Sequence, residues 1–298
     1  MDNLDLKLAK IRNIKDFSYL LNERQDYSKI VKYYQVNRLP YLLFHNRHGY
    51  LHMGISQTGK YKKSDLLGQL EYIEKNIIDT SASDILELGY GQGANMNYLA
   101  KKFPAKKFVG IDISTNPLKR FKLNKNATFI KGDYHDLKKI NKKFDLVYAI
   151  ETLCHSNNLA GIFQEISSVM NEGALLIVFD GYSFKNKTHF KDDINLACSL
   201  VEKSMAVNEF HSLDDFKIQA EKAGLFLLKE IDFSQNILPT LNRFESLARR
   251  YIKYPIAAWF VNHIFPEIFV RNFLSGYLMP DLIKLGVAGY YMNIFYKK

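Results

Sequence analysis

Residues 84–112 read DILELGYGQGANMNYLAKKFPAKKFVGID, and this stretch decides the fold. Ile85-Leu86-Glu87-Leu88 is a buried-strand run, and Gly89-Tyr90-Gly91-Gln92-Gly93 is a glycine-rich turn. A helix-compatible segment follows, and then a second strand, Phe108-Val109-Gly110-Ile111, ending on Asp112. The pattern predicts a βαβ unit in which the glycines let a ligand approach the backbone and the acid receives ribose hydroxyls. A dinucleotide fingerprint would space its glycines G-x-G-x-x-G and set pyrophosphate on the helix N-terminus. Here the spacing is G-x-G-x-G, and Glu87 stands just before the first glycine. A carboxylate suits a ligand carrying positive charge better than an anionic pyrophosphate.

The E-x-G-x-G-x-G turn, with its acid nineteen residues past the last glycine, resembles the class I methyltransferases. The resemblance implies a Rossmann-like α/β fold with a seven-stranded, mostly parallel sheet whose last strand is antiparallel. It also implies S-adenosylmethionine as the cofactor. Glu87, Gly89, Gly91, Gly93 and Asp112 would form the cofactor turn, with Ile113 next to the acid. The third strand, 127–131, ends at Gly132-Asp133-Tyr134, where family members place an acid against the adenine amino group. Asp133 takes that role here, with Tyr134 beside the ring. The fourth strand, 144–150, brings Ile150 to the cofactor and runs into Glu151-Thr152-Leu153-Cys154-His155-Ser156. FDLVYAIETLCHS resembles the corresponding segment of sterol C-methyltransferases, which makes Glu151 and His155 the catalytic candidates. Nucleic-acid amino-methyltransferases carry an N/D-P-P-Y-type segment at this point. This chain has none, so no nucleic-acid acceptor is expected.

Outside this unit the chain reads as helical arms and lids. Residues 1–80 show apolar residues at helical spacing (Leu4, Leu8, Ile11; Phe17, Leu20, Leu21), followed by an aromatic loop near Tyr50. In the methyltransferase architecture such an arm lies over the cofactor, where Tyr33, Tyr34 and Tyr50 would present aromatic faces to a sulfonium; packing tyrosines are the plain alternative. A helix is expected near 64–78 and another near 115–123. The core, 81–298, holds two expected cap insertions, at about 181–210 and 238–285, the second rich in aromatics. Tyr290 to Phe295 should form an antiparallel strand at the sheet edge. Candidate acceptor contacts are Tyr50, Arg243, Arg250 and Trp259. The arginines would meet a diphosphate or anionic head group, or else lie on a solvated helix face.

Composition bounds the rest. The 298 residues suffice for one large domain or a core with a cap. Aromatic content of 14% suits an aromatic-lined cavity or a low-GC genome. The net charge of +10 attracts anions without identifying them. It leaves open a peripheral membrane contact and says nothing against a homo-oligomer. Cys154 and Cys198 offer neither zinc spacing nor a disulfide framework, and no metal site is expected. With no segment resembling a signal peptide or a membrane span, a cytoplasmic location is expected.

The expected acceptor is a hydrophobic small molecule, an isoprenoid or lipid methylated on carbon. Methylation of oxygen or nitrogen in a small metabolite is the alternative. A S-adenosylmethionine-binding protein without catalysis stands behind both, disfavoured by the intact turn together with Glu151 and His155.

Overall fold

A computed structural model describes residues 4–113, 124–184 and 190–298. The expected helix near 115–123 falls outside the described residues. Seven strands form one sheet: β1 (Asp84–Leu88), β2 (Lys107–Asp112), β3 (Ala127–Lys131), β4 (Phe144–Ile150), β5 (Met170–Ser183), β6 (Leu225–Asp232) and β7 (Ala288–Lys297). Their order is β3-β2-β1-β4-β5-β7-β6. The pairs among β1 to β5 are parallel, while β7 runs antiparallel to both its neighbours.

The central strands are apolar on both faces because helices cover both. On β4, Leu146, Tyr148 and Ile150 join one core cluster, and Val147 and Ala149 join the other. On β5, Leu175, Ile177 and Phe179 alternate in the same way with Leu176 and Val178. This is the period of two that a doubly covered sheet requires. Helix α5 (Leu159–Ser168) and α7 (Leu213–Lys222) seal the second cluster through Phe163 and Phe216, whose rings meet edge-on at 4.8 Å. Helix α3 (Gly68–Asp79) and α4 (Ala94–Lys102) seal the first.

The last strand departs from expectation. It lies between β5 and β6 rather than at the edge, so β6 is the edge strand. The apolar face of β7 is buried along most of its length, whereas β6 leaves Leu227 and Leu228 exposed. A strand covered on both sides needs partners on both sides for its backbone groups.

Above the carboxyl ends of the strands sits a helical layer. It comprises α1 (Leu4–Ile14), α2 (Tyr27–Pro40), α6 (Asp192–Ser204), α8 (Ser234–Lys253), α9 (Pro255–Ile264) and α10 (Glu267–Lys284). One of the ties between arm and cap is Lys7, whose side chain is 1% exposed. Its Nζ pairs with Glu245 and Asp281, each at 2.6 Å, and donates to the Tyr277 carbonyl at 2.8 Å. The switch point of the sheet, between β1 and β4, faces this layer, and open α/β sheets bind their ligands there.

Candidate active site

The turn after β1 needs its glycines. Gly89, Gly91 and Gly93 have φ of +69°, +53° and +79°, a region that side-chain-bearing residues rarely enter. A Cβ on Gly89 would lie 1.9 Å from Thr152 Oγ1, and one on Gly91 would lie 2.8 Å from Leu51 Cδ1. Two loops therefore close on this turn from either side. The Gly91 amide donates to Asp112 Oδ2 at 2.8 Å, which ties the acid at the end of β2 to the turn.

Turn and helical layer enclose a cavity of about 980 Å³. Gly89, Tyr90, Gly91, Asp112, Ile113, Asp133, Tyr134, Ile150, Glu151 and His155 form its sheet side. The arm contributes Tyr34, Tyr41 and His45, and the cap contributes an apolar wall that includes Leu241, Phe244, Tyr251, Phe269, Phe273 and Met279. Charge is divided across the cavity. The acidic side chains that line it lie on the sheet side, Asp112, Asp133 and Glu151 at or just past strand ends and Asp180 within β5, while the lining arginines, Arg38 and Arg250, belong to arm and cap. Near the glycine turn a cation with adjacent hydroxyls fits, and a pyrophosphate does not. Gln92, in the turn, also holds a buried Oε1 with no hydrogen-bond partner in the protein.

Glu151 follows β4 at φ +49°, a strained conformation for a side-chain-bearing residue, costing about 1–3 kcal/mol. Its Oε1 accepts from the Met53 amide at 2.7 Å. Burial pushes the carboxyl up to about 8, opposed by that amide and by the Tyr290 hydroxyl. His155 is fixed at both nitrogens. Nδ1 lies 3.1 Å from the Ala206 carbonyl, which can only accept, so Nδ1 carries the hydrogen. Nε2 then accepts from the Tyr34 hydroxyl at 2.8 Å. Burial pulls this imidazole down to about 4, so it is neutral at physiological pH. With its lone pair engaged by Tyr34, His155 reaches a ligand through that hydroxyl.

Asp133 is steadied by His135, whose backbone amide and Nδ1 both reach Oδ1, at 2.9 and 2.7 Å. These bonds hold its carboxyl below the usual range. His135 Nε2 in turn accepts from Ser156 Oγ at 2.9 Å. Tyr134 turns its hydroxyl to the Thr152 carbonyl at 3.2 Å and walls the cavity with its ring.

Five candidates do not line the cavity. Glu87 is 1% exposed and lies beneath the wall, where Asn95 Nδ2 donates to its Oε1 at 3.2 Å. Asn95 is the lining residue. Gly93 caps α4 behind the turn. Tyr50 packs its ring on His52 at 5.6 Å, outside the lining. Arg243, expected at an anionic group, instead donates to the Phe44 carbonyl and lies over the Tyr61 ring at 5.0 Å. Trp259 is 55% exposed on the outer side of α9. Arg250 does line the cavity. Sequence reasoning passed over Asp180 and the arm residues Arg38, Tyr41 and His45. The one available signal was Asp180 as the acid that closes the apolar run of the fifth strand, Ala174 to Phe179.

Residues 86–178 match the model of a family described as a methyltransferase domain. Sterol 24-C-methyltransferase of Kluyveromyces lactis is 26% identical over 164 residues, covering 51% of this chain and 43% of that protein. The chain spans about half the length of the curated relatives it matches. Among solved structures, the cyclopropane synthase MmaA2 of Mycobacterium tuberculosis superimposes with a TM-score of 0.74 at 12% identity, over 93% of this chain and all of that one. Geranyl diphosphate C-methyltransferase of Streptomyces coelicolor, solved with magnesium, geranyl diphosphate and S-adenosylhomocysteine, gives 0.61 at 11% identity, over 91% and 98%. At these identities the structural likeness speaks for the fold.

Proposed function

We propose that the chain is a class I S-adenosylmethionine-dependent methyltransferase and that it methylates a carbon atom of a hydrophobic acceptor of isoprenoid or lipid kind, a reading supported by the matched methyltransferase domain and the similarity to sterol 24-C-methyltransferases. The observation that carries this reading is the division of the cavity: acidic side chains on the sheet side, Glu151 among them, and an aromatic and aliphatic wall on the cap side.

The glycine turn and the four carboxylates suit the nucleoside, amino and sulfonium groups of S-adenosylmethionine. Asp112 would receive the ribose hydroxyls and Asp133 the adenine amino group, with Ile113, Tyr134 and Ile150 as apolar walls. Glu87 would act from below by orienting Asn95. When bound, the cofactor supplies an electrophilic methyl group. Everything else asked of the protein is alignment and dryness, and orientation alone supplies roughly 7–11 kcal/mol in favourable cases. Methyl addition to an alkene leaves a carbocation. The faces of Tyr41, Phe244 and Phe269 would stabilise such a cation. Glu151, once ionised, would take the proton that restores the double bond. Tyr34, polarised by neutral His155, is the second polar group within reach of the acceptor. The similarity to sterol 24-C-methyltransferases supports the carbon reading.

Calorimetry with S-adenosylmethionine tests the cofactor half, and Asp112→Ala should weaken binding by at least about tenfold, the loss of one charge-assisted hydrogen bond. Incubation with labelled cofactor and a panel of sterols, prenyl diphosphates and unsaturated lipids tests the acceptor half. A product heavier by one methylene, with the new carbon bonded to carbon, is the expected result. Transfer only to oxygen or nitrogen acceptors would refute the carbon reading and leave the cofactor assignment standing.

A further inference from the structure

Helix α9 is the least covered part of the cap. Ile256 is 76% exposed, Ile264 69%, Trp259 55% and Phe260 52%. The apolar surface continues past the helix. Phe265, next in sequence, packs on Phe269 at 4.8 Å, and Phe269 stacks on Phe44 at 6.1 Å. Beside Phe44, Leu43 is 66% exposed and Leu39 62%. One belt thus runs from α9 to the end of α2. Exposed apolar surface this continuous marks an interaction site.

The belt is set in positive charge. No Asp or Glu occurs between Asp26 and Asp65, a stretch that includes Lys32, Arg38 and Arg47. Between Glu245 and Asp281 the only acid is Glu267, which is engaged by Lys15 and Tyr19. Arg250 and Lys253 stand just before α9, and both are exposed. The belt is also continuous with the cavity, because Phe44, Val261, Phe265 and Phe269 belong to its lining, as do Arg38 and Arg250.

We propose that this belt seats the protein on an anionic lipid surface. Apolar side chains of α9 and of the end of α2 enter the boundary between head groups and acyl chains, basic side chains meet lipid phosphates, and the cavity opens towards the bilayer. Apolar area and basic charge together set the strength of such interfacial binding. No described helix is long and apolar enough to cross a membrane, so the contact is a surface one. A second copy is a poorer occupant, since it would bring two basic rims of a chain with net charge +10 face to face. The proposal does not depend on which atom is methylated.

Trp259 is the only tryptophan and lies in the belt, which makes it the reporter. The protein is mixed with vesicles of phosphatidylcholine alone, or of phosphatidylcholine with phosphatidylglycerol. With phosphatidylglycerol present, Trp259 emission should shift to the blue, be quenched by lipids brominated high in the acyl chain, and recover as salt is added. The double variant Ile256→Glu, Ile264→Glu, whose positions do not line the cavity, should partition about tenfold or more weakly while binding S-adenosylmethionine with unchanged affinity. If that variant fails to fold, the lipid and salt dependence of the native Trp259 signal decides alone. Absence of any blue shift or quenching on phosphatidylglycerol vesicles at low salt would overturn the proposal. Equal partitioning of a folded double variant would do so too. A dimer in sedimentation that shields Trp259 without lipid would reassign the belt to self-association.

Discussion

Replacing Glu87 by Gln should stabilise the protein at neutral pH, by an amount that depends on pH. Glu87 is 1% exposed, and burial pushes its carboxyl from 4.5 up to about 8, with the Asn95 amide opposing. In the unfolded chain it ionises near 4.5. A carboxyl raised on folding contributes stability that is fully present below about 4.5 and is lost as pH rises through about 8. At pH 7 the unfolded group has ionised over about 2.5 pH units while the folded group remains mostly protonated. At 1.36 kcal/mol per unit, the lost stability is ~3 kcal/mol, against less than ~1 kcal/mol at pH 5. Gln has the same shape and no proton to exchange, and its amide oxygen can still accept from Asn95. The weaker acceptor costs up to about 1 kcal/mol. Urea denaturation of both proteins should therefore show the variant ahead by about 2 kcal/mol at pH 7. That gap should widen by about 2 kcal/mol from pH 5 to pH 7 and level off above about pH 8. A gap that stays constant from pH 5 to pH 8 would show that Glu87 keeps an ordinary pKa and that the charge assignment beneath the turn is wrong.

Gly89→Ala forces an alanine into φ +69° and a Cβ onto Thr152, so a loss of about 2–4 kcal/mol in urea titration is expected, with S-adenosylmethionine binding below detection by calorimetry. Glu151→Gln should lower turnover by about 10² or more while cofactor affinity stays within about twofold. If the native protein methylates as proposed, its rate should rise with pH up to about 8, where Glu151 becomes a base, and the variant should lack that limb. Lys7→Met leaves Asp281 without its ion-pair partner, Glu245 retaining Arg249, and should cost about 3 kcal/mol. Limited proteolysis should then cut first within α1, because the substitution removes the buried ion pairs that tie this helix to the cap.

The parts of the site legible in the sequence are those built by neighbours along the chain. The glycine turn, Asp112, Asp133 and Glu151 each stand at a strand end, and local apolar runs fix where strands end. Residues placed by contacts across the chain were not legible. Arg243 is captured by a carbonyl in the arm, 199 positions away, and no local pattern encodes that. Arg38, Tyr41 and His45 reach the cavity only because Lys7 and the rest of the arm dock on the cap. Glu87 was legible as an acid in the right place, but not that Asn95, on the next helix, would line the cavity and take its hydrogen bond instead of a ligand. The position of β7 was missed for a similar reason. Its apolar run declares a strand, while partner choice depends on β6, whose outer face stays exposed.

The insertion of β7 beside β6 bears on how this protein can change over evolutionary time. Asp232 pairs with Tyr291, and the Phe233 amide donates to the Tyr290 carbonyl at 2.8 Å. The cap from α8 to α10 therefore leaves and rejoins the sheet at adjacent points. Topologically it is the loop of a β-hairpin. The entropy of closing a loop grows only logarithmically with its length, about 0.6 kcal/mol per doubling. Segments of quite different size and lining can occupy this place without disturbing the strand pairs beneath. Selection can thus rework what the cavity accepts on the cap side while the donor turn between β1 and α4 stays as it is. An exchange of residues 234–287 for another hairpin insert is the natural unit of such a change.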